Sequence, residues 1–261
     1  MHAPEPQQRA NRPRRALDAL VPLIAFVTIG FGVYSAAELA RQVEADRVRV
    51  ETRVTAEQLR KRLEAWVDAR LGIVALVGGR WGVTYPNRPD AFRTEAKRLL
   101  KLYPGLQALN WIDADHVIRV VVPSAGNEGA LNRDLDEHPN ATVRTALRRA
   151  TTTRTTARTA VVDLLQGGRG FASYHAVCSE TACPAGFVNG VFRVDLLVDS
   201  CFAEDHLRAN FALELLDAQQ HSVHRQQTPG TLQTTAYAAT VPVRIADRPW
   251  TLKLAPTSSY V

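Results

Sequence analysis

Between Ala19 and Ala37 the chain reads ALVPLIAFVTIGFGVYSAA, with no charged side chain and apolar residues on every face of a helix. At ~1.5 Å per residue such a run spans about 28 Å, close to the roughly 30 Å hydrocarbon core of a bilayer. Pro22 falls in the first turn, where its missing N–H is tolerated. The pattern predicts a transmembrane helix over 19–37. A cleaved signal peptide is the alternative, favoured by the small residues Ser35, Ala36 and Ala37. Against it, the apolar run exceeds the ~7–15 residues of a signal segment.

Past Glu38 the pattern becomes a stripe. Val54, Leu59, Leu63, Trp66, Val67, Leu71 and Val74 share one helical face, and Glu57 and Lys61 form an i,i+4 pair on the solvated side. The membrane helix is therefore expected to continue as a stalk over 38–84. Gly78, Gly79 and the segment Tyr85-Pro86-Asn87-Arg88-Pro89 are expected to break it. The stripe has two possible partners. The globular part of the same chain suits Leu63 to Val77, and the same stripe on a second subunit suits the part nearer the membrane.

Asp90 then caps a helix whose apolar face is Phe92, Ala96, Leu99 and Leu100. Tyr103-Pro104-Gly105 ends it. Strands are predicted at Leu106–Ile112 and Val117–Val122, followed by a polar loop with Gly126 and Gly129 and a helix over Ala141–Ala150. The threonine-rich stretch 151–160 (TTTRTTARTA) favours a strand, because its side chains are β-branched. Further strands fall at Thr159–Leu165 and Phe171–Val177 around a Gly167-Gly168 turn, and at Phe187–Val194. A helix over Asp195–Phe202 precedes strands at Phe211–Leu216, Thr234–Arg244 and Trp250–Leu254. This order predicts two small α/β units behind a long helix.

Charge adds orientation. Arg9, Arg12, Arg14 and Arg15 precede the apolar run, and the first charge after it is Glu38. That asymmetry places the N-terminus in the cytoplasm and the rest outside. The net charge of +6 carries no nucleic-acid motif with it, so no nucleic-acid partner is expected. Cys178 and Cys183, separated by SETA, can close a small disulfide loop in an oxidising compartment, worth about 2 kcal/mol. Cys201, within VDLLVDSCF, is read as a buried core residue. The histidines are dispersed and match no zinc spacing, so neither metal nor cofactor is expected. No G-x-S-x-G or S-x-x-K is present. His138 beside Asp136 and Glu137 is the one acid–base grouping, and its place before Pro139 makes it a loop residue. Nor is there a phosphoacceptor region, a nucleotide-binding loop or a cyclase signature, so no enzyme is expected within this chain.

Two phrases carry a family resemblance. The first, YPGLQALNWIDADHVIRVVVPSAGNEGALNRDLDEHP, begins at Tyr103, and the second, TAVVDLLQGGRGFASYHAV, ends at Val177. Over roughly Phe92 to Phe192 the chain resembles the CHASE domain, the extracytoplasmic sensory module of transmembrane histidine kinases and diguanylate cyclases. The resemblance implies an α/β fold in which the transmembrane helix continues into the stalk and tandem PAS-like units follow. A cytoplasmic tail (1–18) would precede the anchor. Residues 85–177 would form a membrane-distal ligand-binding unit and 178–261 a membrane-proximal one. It implies a receptor in the inner membrane that binds a small molecule and works as a homodimer through its stalk helices. Such receptors return through the membrane to an output domain of histidine kinase (two-component) or diguanylate cyclase type, which is expected beyond Val261. A single-span envelope scaffold is the alternative.

The family's ligand contacts carry over by position. The carboxylate on the loop before the central helix resembles Asp134, and the threonine at the start of the next strand resembles Thr159. The backbone partner resembles Leu165. The facing-strand group is Ser173 or Tyr174, with the register open by one residue. In this reading Asp134 is a buried acceptor. A turn cap at Asp134 and an ordinary strand residue at Thr159 are the competing readings.

Overall fold

The computed structural model describes residues 12–84, 88–165, 167–179, 183–226, 228, 235–245 and 248–260. Arg9, the expected break at Tyr85–Asn87 and the start of the strand expected at Thr234 lie outside the described residues. The chain divides into two units, residues 1–50 and 51–261.

Helix α1 spans Arg12–Thr84 and contains a stretch long and apolar enough to cross a membrane. Within its apolar stretch the described side chains, among them Ile24, Phe26, Ile29 and Phe31, are exposed all round. The charged pairs Arg41–Glu38 and Arg49–Asp46 follow, each one turn apart.

In the second unit α1 buries Ala56, Leu59, Leu63, Val67, Leu71, Val74, Val77 and Trp81, at helical spacing. Leu59, Leu63, Val67, Leu71 and Val74 lie on the expected face, whereas Val54 is exposed. Contrary to expectation the helix does not stop at Gly78-Gly79. A Cβ on Gly78 would lie 2.3 Å from Cδ2 of His175, so this glycine serves close packing on a strand and not a helix end. Helix α2 (Pro89–Leu102) begins with Pro89 in its first turn. Asp90 is therefore not its cap; the carboxylate accepts from Arg93 within the helix.

The first sheet contains β1 (Leu106–Asp113), β2 (Ile118–Val122), β3 (Thr156–Arg158), β4 (Val162–Asp163), β5 (Arg169–Val177) and β6 (Gly186–Arg193), in the order β2-β1-β6-β5-β3, with β4 on β5. Helix α3 (Ala141–Thr153) covers one face with Val143, Ala146, Leu147 and Ala150. Helices α1 and α2 cover the other. Thr151, Thr152 and Thr153 belong to α3 and not to a strand. Each hydroxyl donates to the carbonyl four residues back, which satisfies it without leaving the helix. Arg154, left-handed at φ 55°, then turns the chain into β3.

Strand β6 lies in the middle of this sheet, between β1 and β5. The unit boundary expected at Val177 therefore cuts a hairpin, and the first sheet continues to Arg193. Helix α4 (Val194–Cys201) and helix α5 (Asp205–Asn210) lead into the second sheet, β7 (Phe211–Leu216), β8 (Ser222–Gln226), β9 (Ala239–Ile245) and β10 (Arg248–Pro256), ordered β8-β7-β10-β9. One apolar core runs from the α1 side of the first sheet to the inner face of the second, with α1 as its spine. Cys178 and Cys183 are bonded across the β5–β6 connection, and Cys201 is a free, buried thiol.

Candidate functional site

The polar loop after β2 turns back along that strand. Asn132 N–H donates to the Ile118 carbonyl (2.8 Å), Ile118 N–H to Arg133 (3.0 Å) and Leu135 N–H to His116 (3.1 Å). Leu135 anchors this turn by burial in the α3-side core. Asp134 and Asp136, its polar neighbours, are exposed. The Asp134 Oδ1 accepts the Asp136 N–H at 2.9 Å, and Asp136 in turn meets Nδ1 of His116 at 2.9 Å. Asp134 thus caps a turn with one oxygen and keeps the other for solvent or a ligand. It is not the buried acceptor expected from the sequence, because the segment lies at the sheet's edge with only Leu135 pointing inward.

His138 follows, 8% exposed. Its Nδ1 accepts the Asn140 N–H at 3.1 Å, which puts the proton of the neutral ring on Nε2. Burial first, then the charge of Arg144 and also that of Arg133, push its pKa down against a smaller raising contribution from the Asn140 backbone. The ring is therefore a neutral donor at pH 7. Arg144 also donates to the His138 carbonyl, and Asn140 caps α3 by accepting the Thr142 N–H at 2.9 Å.

The β4–β5 hairpin closes the other side. Leu164 N–H donates to Gly168 and Gly167 N–H to Leu164, both at 2.9 Å, and Leu165 sits at the tip. Between this tip and the loop lies a cleft of about 250 Å³ lined by Asn132, Arg133, Asp134, Glu137, His138, Pro139 and Leu165. It offers a guanidinium, two carboxylates and an imidazole N–H within one small volume. Such a set can hold a molecule carrying both a cationic and an anionic group.

Of the residues singled out in the sequence, the cleft brings together Asp134 and Leu165. Thr159 is buried, and both its hydrogen-bonding roles are taken. Its Oγ1 accepts the Ala172 N–H (3.0 Å) and donates to the Ala160 carbonyl (2.6 Å), stitching the chain after β3 to β5. The register pairs Ala157 with Tyr174 and Tyr174 with Asn189, which puts Tyr174 on the α3 face. Ser173 pairs with Gly190 and takes the opposite face, towards α1. Its hydroxyl is sealed off with no hydrogen-bond partner among the described residues. Burial raises the Tyr174 pKa, so its hydroxyl stays protonated.

Sequence reasoning passed over Arg133 and His138 as ligand contacts. It also passed over a buried amide pair: Asn110 Nδ2 donates to Asn189 Oδ1 at 2.8 Å, and Asn189 Nδ2 donates to the Ser173 carbonyl at 3.0 Å. The available signal was Asn110 itself, a polar residue in an otherwise inward-facing run of β1. Among the described residues no group of three metal-binding side chains is present.

A family model, the CHASE domain, matches residues 113–228. Among solved structures the chain is similar to an extracellular ligand-binding receptor from Desulfohalobium retbaense (TM-score 0.62, 13% identity, 78% of this chain), of which it spans 40%. It is also similar to the ligand-binding domain of the Pseudomonas fluorescens chemoreceptor CtaA in complex with L-isoleucine (TM-score 0.56, 13% identity, 84% of this chain and 96% of that one). A domain of a putative sensory box/GGDEF family protein from Vibrio parahaemolyticus aligns with TM-score 0.63 and 8% identity over 83% of this chain and 98% of that one. At these identities the likeness is one of fold. No curated protein sequence matches the chain.

Proposed function

We propose that this chain, whose residues 113–228 are a CHASE domain, is the extracytoplasmic ligand-sensing region of a membrane signal-transduction receptor. The observation that carries this reading is the CHASE match, laid on a two-sheet fold that chemoreceptor ligand-binding domains share. The apolar stretch of α1 supplies the membrane anchor. The arginines before it favour a cytoplasmic N-terminus and an outward-facing sensory unit.

The ligand is a small dipolar molecule in the cleft. Its ammonium lies against Asp134 and Glu137, and its carboxylate against Arg133 and the Nε2–H of His138. The mixed charge of the cleft supports this, as do the L-isoleucine, L-serine and L-alanine complexes of CtaA. The receptor is a dimer through α1, where Leu39, Val43 and Val50 are exposed at coiled-coil spacing. Ligand binding acts by its differential affinity for two arrangements of the stalks, and the output domain of kinase or cyclase type lies beyond this chain.

The test is a thermal-shift screen of the full chain in lipid nanodiscs against L-amino acids, adenine derivatives and short peptides. A ligand at ~100 times its Kd stabilises the fold by about 2.7 kcal/mol. An amino acid that shifts the wild type, and leaves Asp134→Ala/Glu137→Ala unshifted, is the expected result. A cooperatively melting chain that responds to nothing in the panel counts against the reading.

A further inference from the structure

Helix α4 begins directly where β6, the central strand of the ligand-bearing sheet, ends, and it packs on β8, the edge strand of the second sheet. A single imidazole is buried in that contact. The His224 side chain on β8 is 8% exposed, and its Nε2 is closed off from solvent with no hydrogen-bond partner among the described residues. The nearest carboxylate is Asp199 on α4, with Oδ1 at 3.9 Å. That separation is too long for a hydrogen bond, so the neutral ring is held by packing alone.

The charged groups around it fall on four sides. Helix α4 presents Asp199 and, one turn earlier, Asp195, whose carboxylate is already engaged by Arg193 at the end of β6. Arg208 from α5 approaches Asp199 Oδ1 at 3.8 Å and donates to the Asp199 carbonyl at 3.1 Å. Arg169 from β5 donates to the Ser222 carbonyl at the start of β8 (3.2 Å). On β7 the residue opposite His224 is Leu215, while Glu214 pairs with Arg225 on the other face of the two strands. Both carboxylates near the ring are therefore shared with arginines, and neither is free to neutralise an imidazolium fully.

We propose that the α4–β8 contact is a proton-sensitive joint: acidification places a charge on His224 inside it, loosens β8 from α4, and so weakens the mechanical link between the ligand-bearing sheet and the second sheet. The balance of forces gives the sign. Burial disfavours the charged ring most strongly, Asp199 and Asp195 favour it, Arg208 opposes it, and the net effect is a lowered pKa. The folded form thus binds its proton at lower pH than the unfolded chain does, near 6.5 for a free histidine. The stability His224 contributes is complete above about pH 6.5 and is lost as pH falls through the lower folded value.

The test is hydrogen–deuterium exchange of the full chain in nanodiscs at about pH 7.5 and about pH 5.5, corrected for the intrinsic pH dependence of exchange. Protection of the β8 amides, residues 222–226, should fall several-fold in the wild type, with β10 unchanged. His224→Gln, which keeps the size of the side chain and cannot take a proton, should abolish the fall. Asp199→Asn, which removes the carboxylate that partly compensates the charge, should deepen it. Unchanged wild-type protection overturns the proposal, and so does an equal fall in His224→Gln. Where His224→Gln does not fold, Asp199→Asn decides: a fall no larger than in the wild type overturns the proposal.

Discussion

The docking of α1 on the first sheet depends on a contact that a single methyl group would break. Gly190 sits in the middle of β6, and a Cβ there would lie 2.4 Å from Cγ2 of Val74 on α1 and 3.1 Å from Cε2 of Phe192. Carbon atoms in contact normally stand about 3.5–4.0 Å apart, so Gly190→Ala creates an overlap of more than ~1 Å. Val74 and Phe192 are both fully buried and have no space to retreat into. Overpacking of this kind costs about 1–3 kcal/mol. Val74→Ala alone costs a similar ~1–3 kcal/mol through lost methyls and the cavity they leave. In the double variant the new methyl enters that cavity, so the two changes should cost less together than their sum, by about 1 kcal/mol or more. Urea denaturation of the full chain in nanodiscs, followed by tryptophan fluorescence, measures all four corners of the cycle. A Gly190→Ala cost below about 0.5 kcal/mol, or costs that add within ~0.5 kcal/mol, refutes the argument that a bare glycine backbone is what seats the helix.

Other residues give separate tests. Asn110→Leu removes the donor to the buried Asn189 Oδ1 and should cost about 1–3 kcal/mol, while Asn110→Leu/Asn189→Leu should recover part of that loss in the same denaturation assay. Asn140→Ala deletes the cap of α3 and should cost about 1 kcal/mol, read as a lowered melting temperature. Thr159→Val strands the Ala172 N–H and should cost about 1–3 kcal/mol; a neutral effect would mean that the stitch between the segment after β3 and β5 is dispensable.

Much of the architecture was legible because it follows from periodicity. Leu59, Leu63, Val67, Leu71 and Val74 identified the buried face of α1, and Phe211–Leu216 was placed to the residue. What escaped was set by tertiary contact. Gly78 looks like a helix breaker in one dimension and is a packing position in three, because His175 occupies the space a side chain would need. Thr151–Thr153 look like strand and are helix, because their hydroxyls satisfy themselves on the preceding turn. The segment before β6 looks like a boundary and is a hairpin, since nothing local says that β6 inserts between β1 and β5. Strand β8, SVHRQ, lacks apolar alternation and was invisible as a strand. At the site, NRDLDEHP was recognised through the family phrase, and Asp134 does line the cleft. Its exposure, the tautomer of His138 and the choice between Ser173 and Tyr174 required the strand register and the edge position of the loop.

The measurement that addresses the central claim most directly is hydrogen–deuterium exchange of the full chain with and without an amino acid that gives a thermal shift. Ligand in the cleft should protect amides in the 132–138 turn and at the 164–165 hairpin tip, and Asp134→Ala/Glu137→Ala should remove that protection. A ligand that stabilises the chain while protecting only residues elsewhere, with 132–138 and 164–165 unchanged, contradicts the assignment of this cleft as the sensory site.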